Sequence, residues 1–177
     1  MHRLFVALRP PRPMREALLA AMGDVPGARW QDDDQLHLTL RFIGDVDRHV
    51  AEDVAAALGS VAHPAFDLRL DGVGCFDRRG LIDNIWAGVT PHASVKSIYA
   101  AVTSALTRAG IPPEERAFVP HITMARFSRG QAPKGSLPMD SLWPAPVEAH
   151  FDHFLLYESE LGATGSSYSA IARYRLG

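Results

Sequence analysis

One short pattern occurs twice in the chain, once in each half: Leu36-His37-Leu38-Thr39-Leu40 and Pro120-His121-Ile122-Thr123-Met124. In an extended strand, residues two apart share a face, so each segment presents an imidazole beside a hydroxyl while its aliphatic residues turn to a core. If the strands face each other across a cleft, four polar groups converge. A single His-x-Thr match says little, because a histidine on a half-exposed strand commonly does no more than bond a neighbour. The pairing is what points to function.

The rest of the chain supplies the elements for such a fold. Leu4 to Leu8 reads as a strand stopped by the Arg9-Pro10-Pro11 cluster, and Pro13 suits the first turn of a helix over Met14 to Met22, closed by Gly23. Leu36 to Phe42 alternates apolar and polar residues and ends at Gly44-Asp45. Helical spacing returns over Val46 to Leu58. Strands are expected at Phe66 to Leu70 and Leu81 to Val89, with a turn region from Gly72 to Gly80 between them. Val95 to Ala109 reads as the longest helix, ended by Gly110 and Pro112-Pro113, and Phe118 to Phe127 as the next strand. Gly130 to Pro146 reads as a long connection, and Phe151 to Tyr157 and Tyr168 to Tyr174 as closing strands. The mixture of hairpins and helical crossovers favours an α+β fold.

Composition limits the partners. With 18 basic against 20 acidic residues, a net charge of -2, there is no cationic surplus to hold a long nucleic acid by counterion release. Any nucleic-acid role is therefore local, at an end, a nucleotide or a single phosphate. The lone Cys75 excludes an intrachain disulfide framework and a thiolate-rich zinc site. No run approaches the roughly 20 apolar residues of a membrane span, and Met1 to Leu8 is too short for a signal-peptide core. These features place the protein in the cytoplasm, and its balanced charge points to a monomer with no obligate protein partner.

Two histidines can act as base and acid in one turnover, one taking a proton from water and the other giving one to a leaving oxygen. Neighbouring threonine hydroxyls can donate to non-bridging phosphate oxygens. A strained cyclic phosphate needs no metal for this chemistry, and the sequence has no His-Glu-x-x-His motif, so no cofactor or metal is expected.

The paired His-x-Thr segments, the opening Arg3 to Leu8, the run His37 to Gly44 and the run Phe118 to Arg126 together resemble the two-histidine (2H) phosphoesterase superfamily. Within it the similarity is greatest to RNA 2′,3′-cyclic phosphodiesterases, also called 2′-5′ RNA ligases. Phe66 to Phe76, Trp86 and the stretch from Phe154 to Tyr168 extend the resemblance over nearly the whole chain. It implies a bilobal α+β fold over residues 1–177, with two antiparallel sheets flanking a central groove, helices outside and a pseudo-twofold arrangement.

The resemblance also implies hydrolysis of RNA ends or nucleotides bearing a 2′,3′-cyclic phosphate to a 2′-phosphate, together with sealing or breaking of 2′-5′ linkages. It implies His37 as proton donor, His121 as proton acceptor, and Thr39, Thr123 and Arg126 as phosphate ligands. Reversing the two histidines would give the same bell-shaped pH profile. Simple alternation sets Arg126 on the face opposite His121, so its role requires a bulge near Ala125. Two alternatives stand beside this function: a 2H enzyme for another cyclic or 2′-5′ linked nucleotide, such as ADP-ribose 1″,2″-cyclic phosphate or 2′-5′ oligoadenylate, and a non-catalytic RNA-end binder.

Other residues carry blander readings. Arg41 shares the His37 face by alternation and would either reach a phosphate or stay a solvated edge residue. Phe5, Phe42 and Tyr168 are stacking candidates, but Phe42 falls with Leu38 and Leu40 on the core face. His150 and His153 stand three apart on a strand, hence on opposite faces. Asp32-Asp33-Asp34 reads as a solvated turn, Gly72-Val73-Gly74 as a turn or bulge, and Cys75 as a small buried residue.

Overall fold

The computed structural model describes residues 1–134 and 137–177. In chain order the elements are β1 (His2–Leu8), α1 (Arg12–Ala21), β2 (Ala28–Trp30), β3 (Leu38–Val46), α2 (Arg48–Leu58), β4 (Phe66–Arg78) and β5 (Leu81–Thr90). They continue with α3 (His92–Arg108), β6 (Ile122–Phe127), β7 (Glu148–Phe151), β8 (His153–Gly162) and β9 (Gly165–Arg175). The strands form two antiparallel sheets, one ordered β3-β1-β8-β9 and the other β2-β6-β5-β4-β7. The architecture is the expected two-lobed α+β fold.

Alternation along the strands divides each sheet into a core face and an open face. Leu4, Val6 and Leu8 of β1 join Leu68 and Leu70 of β4, Val89 of β5 and Ile122 and Met124 of β6 in one continuous core. Met14 and Leu18 of α1, Val54 and Leu58 of α2, and Val95, Ile98, Val102 and Leu106 of α3 pack into the same core. All three helices therefore cover the faces turned away from the groove. The helix ends follow local chemistry. Pro13 occupies the first turn of α1, and an Asp47 side-chain oxygen accepts from the Val50 N–H at the start of α2. Gly110, at φ 88°, closes α3 while the Ile111 N–H bonds the Leu106 carbonyl, the bonding of a Schellman turn.

Several sequence expectations shift. The Gly72 to Gly80 turn is mostly strand. β4 runs through both glycines to Arg78, with a bulge between Leu70 and Val73, and only Arg79 and Gly80 turn, at φ 53° and 78°. Positive φ at both turn residues matches the twist of a two-residue hairpin, and this overrode the glycine-based reading. Gly23 does not cap α1, which ends at an extended Met22. β3 does not stop at Gly44-Asp45, because Gly44 takes φ 90° and lets pairing with β1 continue to Val46. The expected connection Gly130 to Pro146 contains a 3₁₀ turn, Met139–Leu142, that buries Leu142; residues 135–136 lie outside the described part. Cys75 is exposed rather than buried. Among the described residues, no helix is long and apolar enough to cross a membrane.

Candidate active site

Neither motif histidine lies inside its strand. His37 and His121 each stand immediately before the first strand residue, Leu38 of β3 and Ile122 of β6. Pro120 lacks the N–H that a ladder would use, which accounts for the late start of β6. Before β3, the chain folds into a 3₁₀ turn, Asp33–Gln35. Asp32 caps it: its side chain accepts from the Gln35 N–H, while the Gln35 side chain accepts from the Asp32 N–H. Arg9 donates to the Asp33 and Leu36 carbonyls, and Arg15 pairs with Asp33 at 2.9 Å. The acidic triplet is thus the scaffold of the turn that presents His37. Its pattern, an aspartate followed three residues later by glutamine, is a capping signature visible in the sequence.

Both imidazoles are oriented by the same local device. His37 Nδ1 lies 2.7 Å from the Gln35 carbonyl, and His121 Nδ1 lies 2.6 Å from the Val119 carbonyl. A carbonyl can only accept, so each Nδ1 carries the hydrogen and donates it. In the neutral ring this fixes Nε2 as the basic nitrogen, and it leaves Nε2 as the atom that meets a substrate. Aromatic rings flank the two imidazoles. Phe5 lies 4.9 Å and Tyr168 5.2 Å from His37, and Phe76 lies 5.0 Å and Trp86 6.0 Å from His121, between ring centroids.

A bulge at the same place in each motif strand decides which later residues face the groove. Between β1 and β3, Ala7 pairs with Thr39 but Val6 with Arg41, so Leu40 is the extra residue. Between β5 and β6, Trp86 pairs with Thr123 but Ile85 with Ala125, so Met124 is the extra residue. Each bulge puts two consecutive side chains into the interior, Leu40 with Arg41 and Met124 with Ala125, and returns the next to the groove. Arg126 thereby joins the His121 face.

The same shift corrects two expectations from strict alternation. Arg41 is 2% exposed and donates to the Pro112 carbonyl, so it is neither a phosphate ligand nor a solvated edge. Phe42 is 43% exposed and lines the groove with Phe5, His37, Thr39, Arg126 and Tyr168, around a cavity of about 410 Å3. Arg3 covers its ring at 5.2 Å. The bulge at Leu40 is what turns Phe42 to the groove. A second cavity continues across Thr39, Phe42, Phe76 and His121, so the two motifs share one groove. Thr123 is half-buried, beside Trp86, and lines neither cavity.

Burial sets the proton affinities. It is the largest influence on His37, whose pKa is pushed down to about 4; the Gln35 carbonyl works against it, and Arg126, His121 and Arg9 add repulsion. His121 is also lowered, first by burial and then by Arg126, against the pull of the Val119 carbonyl. Each imidazole therefore stays neutral at neutral pH until an anion enters. A phosphodiester between them would favour protonation of one ring and leave the other as a base.

The backing of His121 depends on one glycine. A Cβ on Gly74 would stand 2.3, 2.5 and 2.8 Å from three Trp86 ring atoms. Gly74→Ala is expected to cost about 1 to 3 kcal/mol in denaturant unfolding, because the ring must leave its place, and to shift the tryptophan fluorescence. An unchanged unfolding midpoint would show that Trp86 has room to yield.

The family described as LigT like Phosphoesterase matches this chain twice, at residues 8–86 and 89–168, with one His-x-Thr motif in each match. The chain belongs to the LigT-like phosphoesterases, within the 2H superfamily. Among its relatives, the RNA 2′,3′-cyclic phosphodiesterase of Thermotoga maritima is 32% identical over 82% of this chain and 78% of that protein. The Geobacillus stearothermophilus protein of the same name is 29% identical over 97% of this chain, which spans only 56% of that protein's length. The crystal structure of Escherichia coli LigT complexed with 3′-AMP superposes with a TM-score of 0.80 at 27% identity, covering 99% of this chain and 98% of the other. This LigT-like chain thus shares its fold with a relative whose crystal structure holds a nucleotide.

Proposed function

We propose that the protein hydrolyses RNA ends bearing a 2′,3′-cyclic phosphate to a 2′-phosphate. The observation that carries this reading is the matched pair of imidazoles, each with Nδ1 tied to its own backbone and Nε2 free, on one groove that also holds Arg126. Relatives named RNA 2′,3′-cyclic phosphodiesterase support the substrate class. In the proposed step, His121 Nε2 takes a proton from water as the water oxygen bonds to phosphorus. The P–O3′ bond breaks, and His37, which takes up a proton on Nε2 when the anionic phosphate binds, gives it to O3′. Thr39 and Thr123 donate to non-bridging oxygens, and the planar fork of Arg126 spans two of them. Exchange of protons with solvent resets both rings.

A ribose 5′-hydroxyl in place of water would form a 2′-5′ linkage by the same attack, so ligation is part of the proposal. The acid and base roles are carried by side chains, and the reaction is proposed to need no metal or other cofactor. The protein is read as a monomer acting in the cytoplasm on RNA ends or nucleotides.

The test is hydrolysis of a short RNA ending in a 2′,3′-cyclic phosphate with EDTA present. Turnover is expected to be unaffected by the chelator and to yield only the 2′-phosphate. A 3′-phosphate product would reverse the leaving group, and loss of turnover in EDTA would require a metal. Binding without turnover would move the assignment to another cyclic or 2′-5′ linked nucleotide, or to an RNA-end binder.

A further inference from the structure

Beside the reaction groove, a third cavity is lined by Arg29, Trp30, Gln31, Gln35, Arg126 and Ser166. Arg126, Ser166 and Tyr168 also line the central groove, so the two spaces are continuous. Arg29 stands directly opposite Arg126 in the antiparallel pairing of β2 and β6. Opposed residues in such a pair project to one face, and like charges there are destabilising. The fold sets two arginines on adjacent strands at one cavity, and no carboxylate occurs among the described residues that line it. An arrangement that breaks a local rule of stability in this way is expected where it serves a function.

Two further side chains fit the same occupant. Gln31 is only 8% exposed, yet no hydrogen bond from its carboxamide occurs among the described residues, and it lines the cavity. Trp30 is half-buried and offers the remaining aromatic surface of the wall.

We infer that this cavity is a second subsite, which takes the phosphodiester and base of the nucleotide preceding the reacting end of an RNA. The inference rests on the reaction proposed above. A strand that ends in a cyclic phosphate continues only through its 5′ side, so the next charge along it is the phosphodiester joining the last two nucleosides. Arg29 holds that group while Arg126, between the two spaces, stays on the reacting phosphate; Gln31 donates to the preceding phosphodiester or to the ribose, and Trp30 stacks the base. Beyond Trp30 the groove passes Asp32, Asp34 and Arg9, and because Arg9 is already engaged by Asp33 and the Leu36 carbonyl, the two carboxylates oppose a further phosphate. The subsite is therefore one nucleotide deep.

The experiment compares wild type with Arg29→Gln on a mononucleotide 2′,3′-cyclic phosphate and on a dinucleotide and a trinucleotide ending in the same group. Binding of the corresponding mono- and dinucleotide 2′-phosphates is measured by calorimetry in parallel. Wild type is expected to prefer the dinucleotide by roughly tenfold in kcat/KM and affinity, and to gain nothing from the third nucleotide. Arg29→Gln should erase that preference while changing the mononucleotide by less than about twofold, and it should melt no lower than wild type because opposed charges are relieved. Equal treatment of mono- and dinucleotide by wild type, or equal losses on both in the variant, would overturn the subsite. If no cyclic phosphate is turned over but the binding preference disappears in Arg29→Gln, the subsite stands and the reaction assignment falls.

Discussion

Replacing either His37 or His121 by alanine is expected to lower turnover of a 2′,3′-cyclic phosphate by about 10²- to 10⁴-fold, the usual worth of a positioned acid or base. The two losses should be similar in kind, because each ring manages one proton. The double variant should be little worse than either single one, since removing one partner already disables the unit. Retained affinity for a nucleotide 2′-phosphate would separate lost chemistry from lost folding. Removing His37 also takes a ring away from Phe5 and Tyr168, so its melting temperature must be read alongside activity. Full activity in either variant would remove the two-histidine mechanism.

Arg126→Ala should produce the second largest change, a fall of about 10²- to 10³-fold in kcat/KM, comparable to removing an oxyanion donor. The same substitution carries a signature that a structural role would not produce. Arg126 lowers the pKa of both imidazoles. In the free protein both titrate below the ordinary value of 6.5, so the singly protonated, active form accumulates as pH falls and kcat/KM should peak on the acid side of 6.5. Without the guanidinium, both limbs of the bell should move to higher pH. Burial, the larger cause for each ring, remains, so the peak should still lie below 6.5. A pH profile with unmoved limbs would place Arg126 away from the reacting phosphate.

The site was legible in the sequence because its two halves share a pattern that alternation could project onto one face. The paired His-x-Thr motifs and two helices follow from periodicity and turn chemistry. The helix expected from Val46 nevertheless begins at Arg48, because β3 runs on to Val46, and the one expected over Val95 to Ala109 spans His92–Arg108. The need for a bulge before Arg126 follows once the resemblance gives that residue a place in the groove. What escaped was the bulge in β3. It turns Arg41 inward and Phe42 outward, and Leu38, Leu40 and Phe42 look like one uninterrupted face when written as a string. A bulge costs only one residue of register and leaves little trace in composition. The long β4–β5 hairpin escaped because Gly72 and Gly74 read as punctuation, although Gly74 is there to admit Trp86. The role of Asp32 was visible as a capping pair with Gln35 but was overshadowed by the charge of its neighbours.

The repeated backbone anchor of the two rings bears on how such a protein could arise. Each half carries its own device for holding an imidazole, so two identical half-length chains related by a rotation axis could build a rudimentary version of the groove. Such an ancestor would be confined to the same residue on both banks. Joining the halves into one polypeptide removes that restriction. The position five residues beyond each histidine now differs, an aromatic face at Phe42 and a guanidinium at Arg126. A fused chain can therefore tell the two ends of an asymmetric ligand apart, which no symmetric pair could do.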